Sequence, residues 1–191
     1  MIKPFQIFDE KTAPEESRSM LKRAKADFGM IPNLEGVMAG APSLLSSYVQ
    51  SWATFQACGL TDIEKQVVYM TVNFENNCEY CVPWHTKLSE MAKMPAEEID
   101  NLRQGRSLND IKLNKLHQFT KSMVRTRGSI APADLSNFFE AGYSQQNALE
   151  VVLGISIKVM SNYTNALAQT PLDASVKSLS WKKPSLRHVE Q

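Results

Sequence analysis

A chain of 191 residues that is 43% hydrophobic is long enough to bury a core without a metal or a disulfide framework to hold it together. Its 21 Lys and Arg against 20 Asp and Glu leave a formal charge of +1, which argues against nucleic acid or an acidic membrane as partner. No run of about 18 apolar residues occurs, and the N-terminal MIKPFQIFDEKTAPEESR lacks the apolar centre of a signal peptide, so a soluble, cytoplasmic protein acting on small molecules or proteins is expected.

Taken in chain order, the periodicity predicts helix after helix and almost no alternating strand pattern, about eight helices in all. The first runs from Pro14 through SRSMLKRAKADF to Gly29, with proline at its start and glycine just beyond its end. NLEGVMA reads as a turn. Pro42 opens SLLSSYVQSWATFQAC, whose Leu45, Tyr48, Val49, Trp52 and Phe55 recur at helical spacing up to Gly59. TDIE follows, with Thr61 as N-cap and Glu64 closing a capping box, and the helix runs through VVYMTVNF to about Asn77. VPWHTKLSEMAK forms the next helix, where Pro83 is tolerable because it falls in the first turn.

Pro95 starts PAEEIDNLRQ, stopped by Gly105, and NDIKLNKLHQFTKSMVRTR continues to Gly128. PADLSNFFEA ends at Gly142. The longest element, SQQNALEVVLGISIKVMSNYTNALAQ, reaches Pro171 and is apolar on more than one face, the pattern of a helix central to a bundle or shared with another subunit. Residues 171–191 show no sustained period and carry Lys177, Lys182, Lys183 and Arg187, so they read as a solvated tail in which Trp181 docks on a neighbouring subunit. With no internal repeat and no linker, residues 1–170 form one all-α domain and 171–191 a C-terminal tail.

Three cysteines is an odd number, and a reducing compartment disfavours structural disulfides, so the close pair in NNCEYCVPWHTKLSE is redox-active or metal-bound. A zinc site would use Cys78, Cys81 and His85 but needs a fourth ligand, and His117, Cys58 and His188 lack the paired spacing that makes such motifs specific. A dithiol site needs a thiol of lowered pKa, a second thiol within reach and a proton donor. Cys81 falls at or just before the first turn of its helix, where free amides and the macrodipole favour a thiolate. Cys78 lies in the preceding turn, and His85 is one helical turn on. Lowering a thiol from about 8.5 to about 7 brings only about threefold net reactivity once lost nucleophilicity is counted. A placed acid is typically worth about 10² to 10⁴, which singles out His85. Cys58 reads as a packing residue.

The segment LTDIEKQVVYMTVNFENNCEYCVPWHTKLSEMA, with FGMIPNLEGVMAGAPSLLSSY before it and DLSNFFEAGYSQQNALEVVLGISIKVMSNYTNALA after it, resembles the alkylhydroperoxidase D-like (AhpD-like) proteins of the carboxymuconolactone decarboxylase superfamily over residues 28–170. The resemblance implies an AhpD-like helical bundle assembled as a homo-oligomer, a trimer or hexamer, and a dithiol that reduces a small-molecule peroxide without cofactor or metal. It matches Cys81 to the attacking cysteine, Cys78 to the resolving one and His85 to the relay histidine, with an external dithiol as reductant. At the place of the family's relay glutamate stands Gln66, which orients by hydrogen bonding but cannot exchange a proton at neutral pH. Two acids are candidate substitutes, Glu75, three residues before Cys78, and Glu64, although the capping box already explains Glu64; Tyr80 stands where close relatives carry a second histidine. The expected function is a thiol-dependent peroxidase or disulfide reductase in antioxidant defence. The alternative is an oligomeric binding or redox-sensing protein with a weakly active dithiol. The lactone decarboxylase branch is a further reading that the cysteine pair disfavours.

Overall fold

A computed structural model describes residues 4–184. Nine α-helices and one 3-10 helix make up the described residues, with no strand among them: the expected all-α class. The helices are α1 Glu15–Phe28, α2 Asn33–Met38, α3 Pro42–Gln56, α4 Asp62–Glu75, α5 Cys81–Met91, α6 Ala96–Gln104, α7 Ile111–Thr126, α8 Pro132–Glu140 and α9 Gln145–Ala168. The segment expected as a turn at NLEGVMA is therefore a helix, α2. Its first amides are satisfied from far away, Asn33 N–H donating to Asp173 Oδ1 at 3.1 Å and Leu34 N–H to the Tyr80 hydroxyl at 3.1 Å. Caps supplied by distant residues leave no local signature.

The bundle is built around α4, which packs on α3, α5, α6, α7 and α9. From Glu64 to Phe74 every residue of α4 is buried, so α4, and not α9, is the central helix. The capping box at its start is formed, Glu64 N–H donating to Thr61 Oγ1 at 3.2 Å and Thr61 N–H to Glu64 Oε2 at 2.8 Å. α9 meets α3 and α4 at Gly154, where a Cβ would stand 2.8 Å from Val68 Cγ1 and 2.9 Å from the Phe55 ring. This close approach seats the buried face of α9 against the centre of the bundle, while Leu149, Val152, Tyr163 and Leu167 on its other face stay exposed.

The described part of the C-terminal segment is a strap packed on its own chain, where a solvated tail was expected. A 3-10 helix at Ala174–Leu179 buries Val176 completely. Asp173, 2% exposed, accepts from the Tyr80 hydroxyl and, at 2.9 Å, from Trp84 Nε1–H. Trp181 is buried against the Phe74 ring, and its Nε1–H donates to the Arg103 carbonyl at 2.8 Å, so it docks within the chain rather than on a neighbour. His188 lies outside the described residues. Among the described residues no helix is long and apolar enough to cross a membrane.

Candidate active site

The turn between α4 and α5 positions the cysteines. Asn77 takes a left-handed backbone (φ 53°), a conformation asparagine tolerates better than most residues, and the chain folds back so that Cys78 N–H donates to the Asn73 carbonyl at 3.0 Å. Val82 N–H then donates to the Cys78 carbonyl at 3.2 Å, carrying the chain into α5 with Cys81 as its first residue and Pro83 in its first turn. Both thiols are free and buried. The first-turn amide was expected to favour the Cys81 thiolate; the Cys81 N–H instead donates to Cys78 Sγ, at 3.3 Å.

Cys81 is activated from α9. Lys158, Ser161, Asn162 and Asn165 follow one another at helical spacing along the buried face of that helix. Asn165 Nδ2–H donates to Cys81 Sγ at 3.3 Å, and Ser161 Oγ lies 3.9 Å from the same sulfur. Burial alone would push the Cys81 thiol up. The hydrogen bond from the Cys78 thiol, the Lys158 ammonium, Ser161 and Asn162 outweigh it and bring it down to about 6. The interaction with Cys81, followed by burial, drives Cys78 upward, so it stays a thiol. One activated sulfur and one protonated sulfur are what a two-cysteine redox cycle begins from.

His85, 3% exposed, is held between two partners. Lys158 Nζ donates to its Nε2 at 2.9 Å, and its Nδ1–H donates to Gln66 Oε1 at 2.8 Å. The ring packs against Tyr69 and Trp52, with centroids 4.8 and 5.8 Å away. Burial and then the Lys158 charge lower its pKa well below the ordinary imidazole value, so the ring is neutral at neutral pH, its single N–H engaged by Gln66. Its action on Cys81 therefore passes through Lys158. Glu75 is held elsewhere, accepting from Arg125 Nε at 2.7 Å and Nη2 at 3.2 Å.

Two groups that sequence reasoning missed complete the site. Lys158 is a lysine only 1% exposed, and its signal was legible, a charge inside an apolar helix followed by polar residues three, four and seven positions on. Glu35 of α2 is 7% exposed, and its Oε2 has no hydrogen-bond partner. Burial above all, then the negative charges of Asp173 and Cys81, raise its carboxyl to about 8 against the opposing effects of its own amide and Lys158. No local pattern in NLEGVMA marks it.

Cys81, His85, Lys158 and Glu35 converge on a cavity of about 40 Å³ whose other walls include Phe28, Tyr48, Trp52 and Trp84, room for a water or two or for a peroxide group. Cys78 lines a separate, more open and polar groove of about 390 Å³ with Asn76, Asn162 and Asn165. Among the described residues the zinc alternative finds no fourth ligand: His117 is bonded to Thr71 at 2.8 Å, and no group of three or more His, Cys, Asp or Glu there could hold a metal ion.

The all-α bundle that carries this CxxC pair is AhpD-like in fold. Residues 42–110 match the model of the carboxymuconolactone decarboxylase family, the superfamily that the motifs resemble. No curated protein matches the chain in sequence. Its fold is similar to that of an uncharacterized peroxidase-related protein with an alkylhydroperoxidase AhpD core from Ralstonia eutropha JMP134, with TM-score 0.79, 15% identity and coverage of 92% of this chain and 96% of that one. It is similar also to an uncharacterized peroxidase-related protein from Silicibacter sp. TM1040, with TM-score 0.75, 17% identity and coverage of 92% and 97%. A third similar structure is the debrominase Bmp8, a cysteine-to-alanine variant in complex with 2,3,4-tribromopyrrole, with TM-score 0.76, 14% identity and coverage of 93% and 96%.

Proposed function

We propose that the protein is a thiol-dependent hydroperoxide reductase of a reducing compartment such as the cytoplasm. The observation that carries this reading is an activated Cys81 sulfur on the wall of a small aromatic cavity, with the protonated Cys78 thiol beside it on a different opening. The Cys81 thiolate attacks the near oxygen of the peroxide, the O–O bond breaks, and a sulfenic acid forms on Cys81 as the far oxygen leaves as an alcohol. The Cys78 thiol then displaces water from the sulfenic acid and closes the disulfide. An external dithiol reopens it by attacking Cys78 from the polar groove and expelling Cys81, the better leaving group because its pKa is the lower. Gln66 holds the imidazole, and the imidazole holds Lys158 beside the sulfur.

The exposed apolar stripe of Leu149, Val152, Tyr163 and Leu167 on α9 supports assembly into a homo-oligomer, a trimer or hexamer, through that helix. A second reading draws on the aromatic walls and the likeness to a debrominase: the same dithiol reduces a brominated ring, bromide leaving and a proton taking its place while Cys81 and Cys78 give up two electrons and close to a disulfide. Cys81→Ser is expected to abolish consumption of an organic hydroperoxide at least 100-fold and to prevent the loss of two hydrogens from the peptide holding residues 78 and 81. Full turnover in that variant overturns the peroxidase reading. Bromide release from a bromopyrrole, with no hydroperoxide turnover, would favour the second.

A further inference from the structure

We propose that Glu35 is the acid of this cycle: its carboxyl protonates the oxygen that leaves when Cys81 attacks, and then carries the negative charge that the sulfur gives up. The inference rests on the peroxidase reading and supplies the proton donor that neither Gln66 nor neutral His85 can provide. Its basis is the location of a side chain that is 93% buried, with one oxygen unpartnered, on the walls of two cavities at once. The smaller one, of about 40 Å³, is lined by Cys81. The larger one, of about 160 Å³, shares Phe28, Glu35, Tyr48 and Trp52 with it. A hydroperoxide lying with its tail in the larger cavity and its terminal oxygen at Cys81 leaves its second oxygen beside Glu35.

The charges around this carboxyl are few. Lys158 faces it from α9, Cys81 and Tyr80 from the start of α5, Tyr48 from α3 and Asp173 from the strap, and Arg23 and Asp27 of α1 line the larger cavity. Asp173 is already engaged by Tyr80, Trp84 and Asn33. One buried ammonium therefore serves two potential anions, Cys81 and Glu35, and a site of this dielectric stabilises one of them at a time. With Cys81 as thiolate, Glu35 remains a carboxylic acid, as burial and its neighbours favour.

The balance follows. Thiolate, hydroperoxide and protonated Glu35 give sulfenic acid, alcohol and Glu35 carboxylate, the sulfur being oxidised and the peroxide reduced. The Cys78 thiol and the sulfenic acid give disulfide and water. The external dithiol then delivers two electrons and two protons, one proton to Cys78 and one to Glu35, as Cys81 leaves as thiolate. Through the cycle the negative charge moves between sulfur and carboxylate while Lys158 stays beside both.

The test uses the full-length protein and its Glu35→Gln variant, which keeps the shape and removes the transferable proton. In infrared difference spectra between dithiothreitol-reduced and diamide-oxidised protein, a protonated-carboxyl band is expected in the reduced state, absent from the disulfide state and absent from Glu35→Gln. In stopped flow, oxidation of Cys81 by cumene hydroperoxide is expected to slow by about 100-fold or more in the variant, within the range for general acids. Its alkylation by iodoacetamide at neutral pH, which needs only the thiolate, should change by no more than about twofold. A carboxyl band unaltered by oxidation, or a wild type that reduces the hydroperoxide no faster than Glu35→Gln, overturns the role of Glu35 alone. A wild type that fails to reduce the hydroperoxide, and is indistinguishable in this from Cys81→Ser, overturns the peroxidase reading beneath it.

Discussion

At the scale of single residues, the site turns on Lys158. An ammonium that is 1% exposed and donates to a neutral imidazole needs a nearby anion to be stable, and the Cys81 sulfur is the anion within its reach. Removing the charge should return the thiol to the range set by burial. In Lys158→Met the pKa of Cys81 is expected to rise from about 6 to above about 8.5, taking the thiolate at neutral pH from nearly complete to a few per cent. The pH dependence of iodoacetamide alkylation measures this directly: its midpoint should move up by about 2.5 pH units, while at pH 7 the variant should react only about two- to threefold more slowly, the roughly 30-fold loss of thiolate being largely offset by the greater nucleophilicity of a more basic sulfur. An alkylation profile that stays where it was would mean that Asn165, Ser161 and the Cys78 thiol hold the thiolate without the lysine. Of this constellation, Cys78, Cys81 and His85 were legible from a local spacing, and Gln66 only from the resemblance, as the residue at the place of the family's glutamate. Glu35 was not, because its role depends on α2, α5 and the strap coming together.

At the scale of elements, α9 places the activating groups, and the contact that sets its depth is glycine. Gly154 lies four residues before Lys158, so the close approach to Val68 and Phe55 fixes the height of the following turn over α5. Gly154→Ala would force Val68 and Phe55, or the helix, to shift by a few tenths of an ångström. The general gain from replacing a helical glycine is about 1 kcal/mol, and the overpacking penalty of about 1 to 3 kcal/mol opposes it. A net loss of up to about 2 kcal/mol is expected in urea unfolding, together with a rise in the Cys81 pKa as Lys158 and Asn165 move off the sulfur. A variant of increased stability with an unchanged thiol titration would show that the bundle accommodates the methyl group. The helices themselves were mostly readable, since proline starts, glycine stops and the Thr61 capping box are local signals. The broad apolar pattern of α9 left open a helix central to the bundle or one shared with another subunit; in the fold α4 is the central helix, buried from Glu64 to Phe74, and α9 keeps an exposed apolar stripe beside its buried polar one.

At the scale of the whole molecule, the strap and the buried titrating groups tie the bundle together. Asp173 reaches both α2 and α5, contacts that only the folded chain brings together, so composition alone could not separate this segment from a solvated tail. Between α4 and α7 the link is His117, 3% exposed. Thr71 Oγ1–H donates to the Val67 carbonyl at 2.7 Å and accepts from His117 Nδ1–H at 2.8 Å. Burial first, then Lys121 and Arg125, lower the pKa of His117 to about 4. Between that value and about 6.5 the unfolded chain binds a proton that the folded chain refuses, so stability falls as pH falls through this window and levels off below about 4. The loss from His117 is about 3 kcal/mol, or roughly 6 to 12 °C in melting temperature for a domain of this size. His85, also lowered, acts in the same direction. Glu35, raised to about 8, acts the other way from about 4.5 upward, so the two histidines together outweigh it below about 6.5. Melting followed by circular dichroism from about pH 7 to 4 should therefore show a falling limb in the wild type and a shallower one in His117→Asn, whose amide can keep the bond to Thr71 and does not titrate. An equally steep limb in the variant would assign the acid sensitivity to His85.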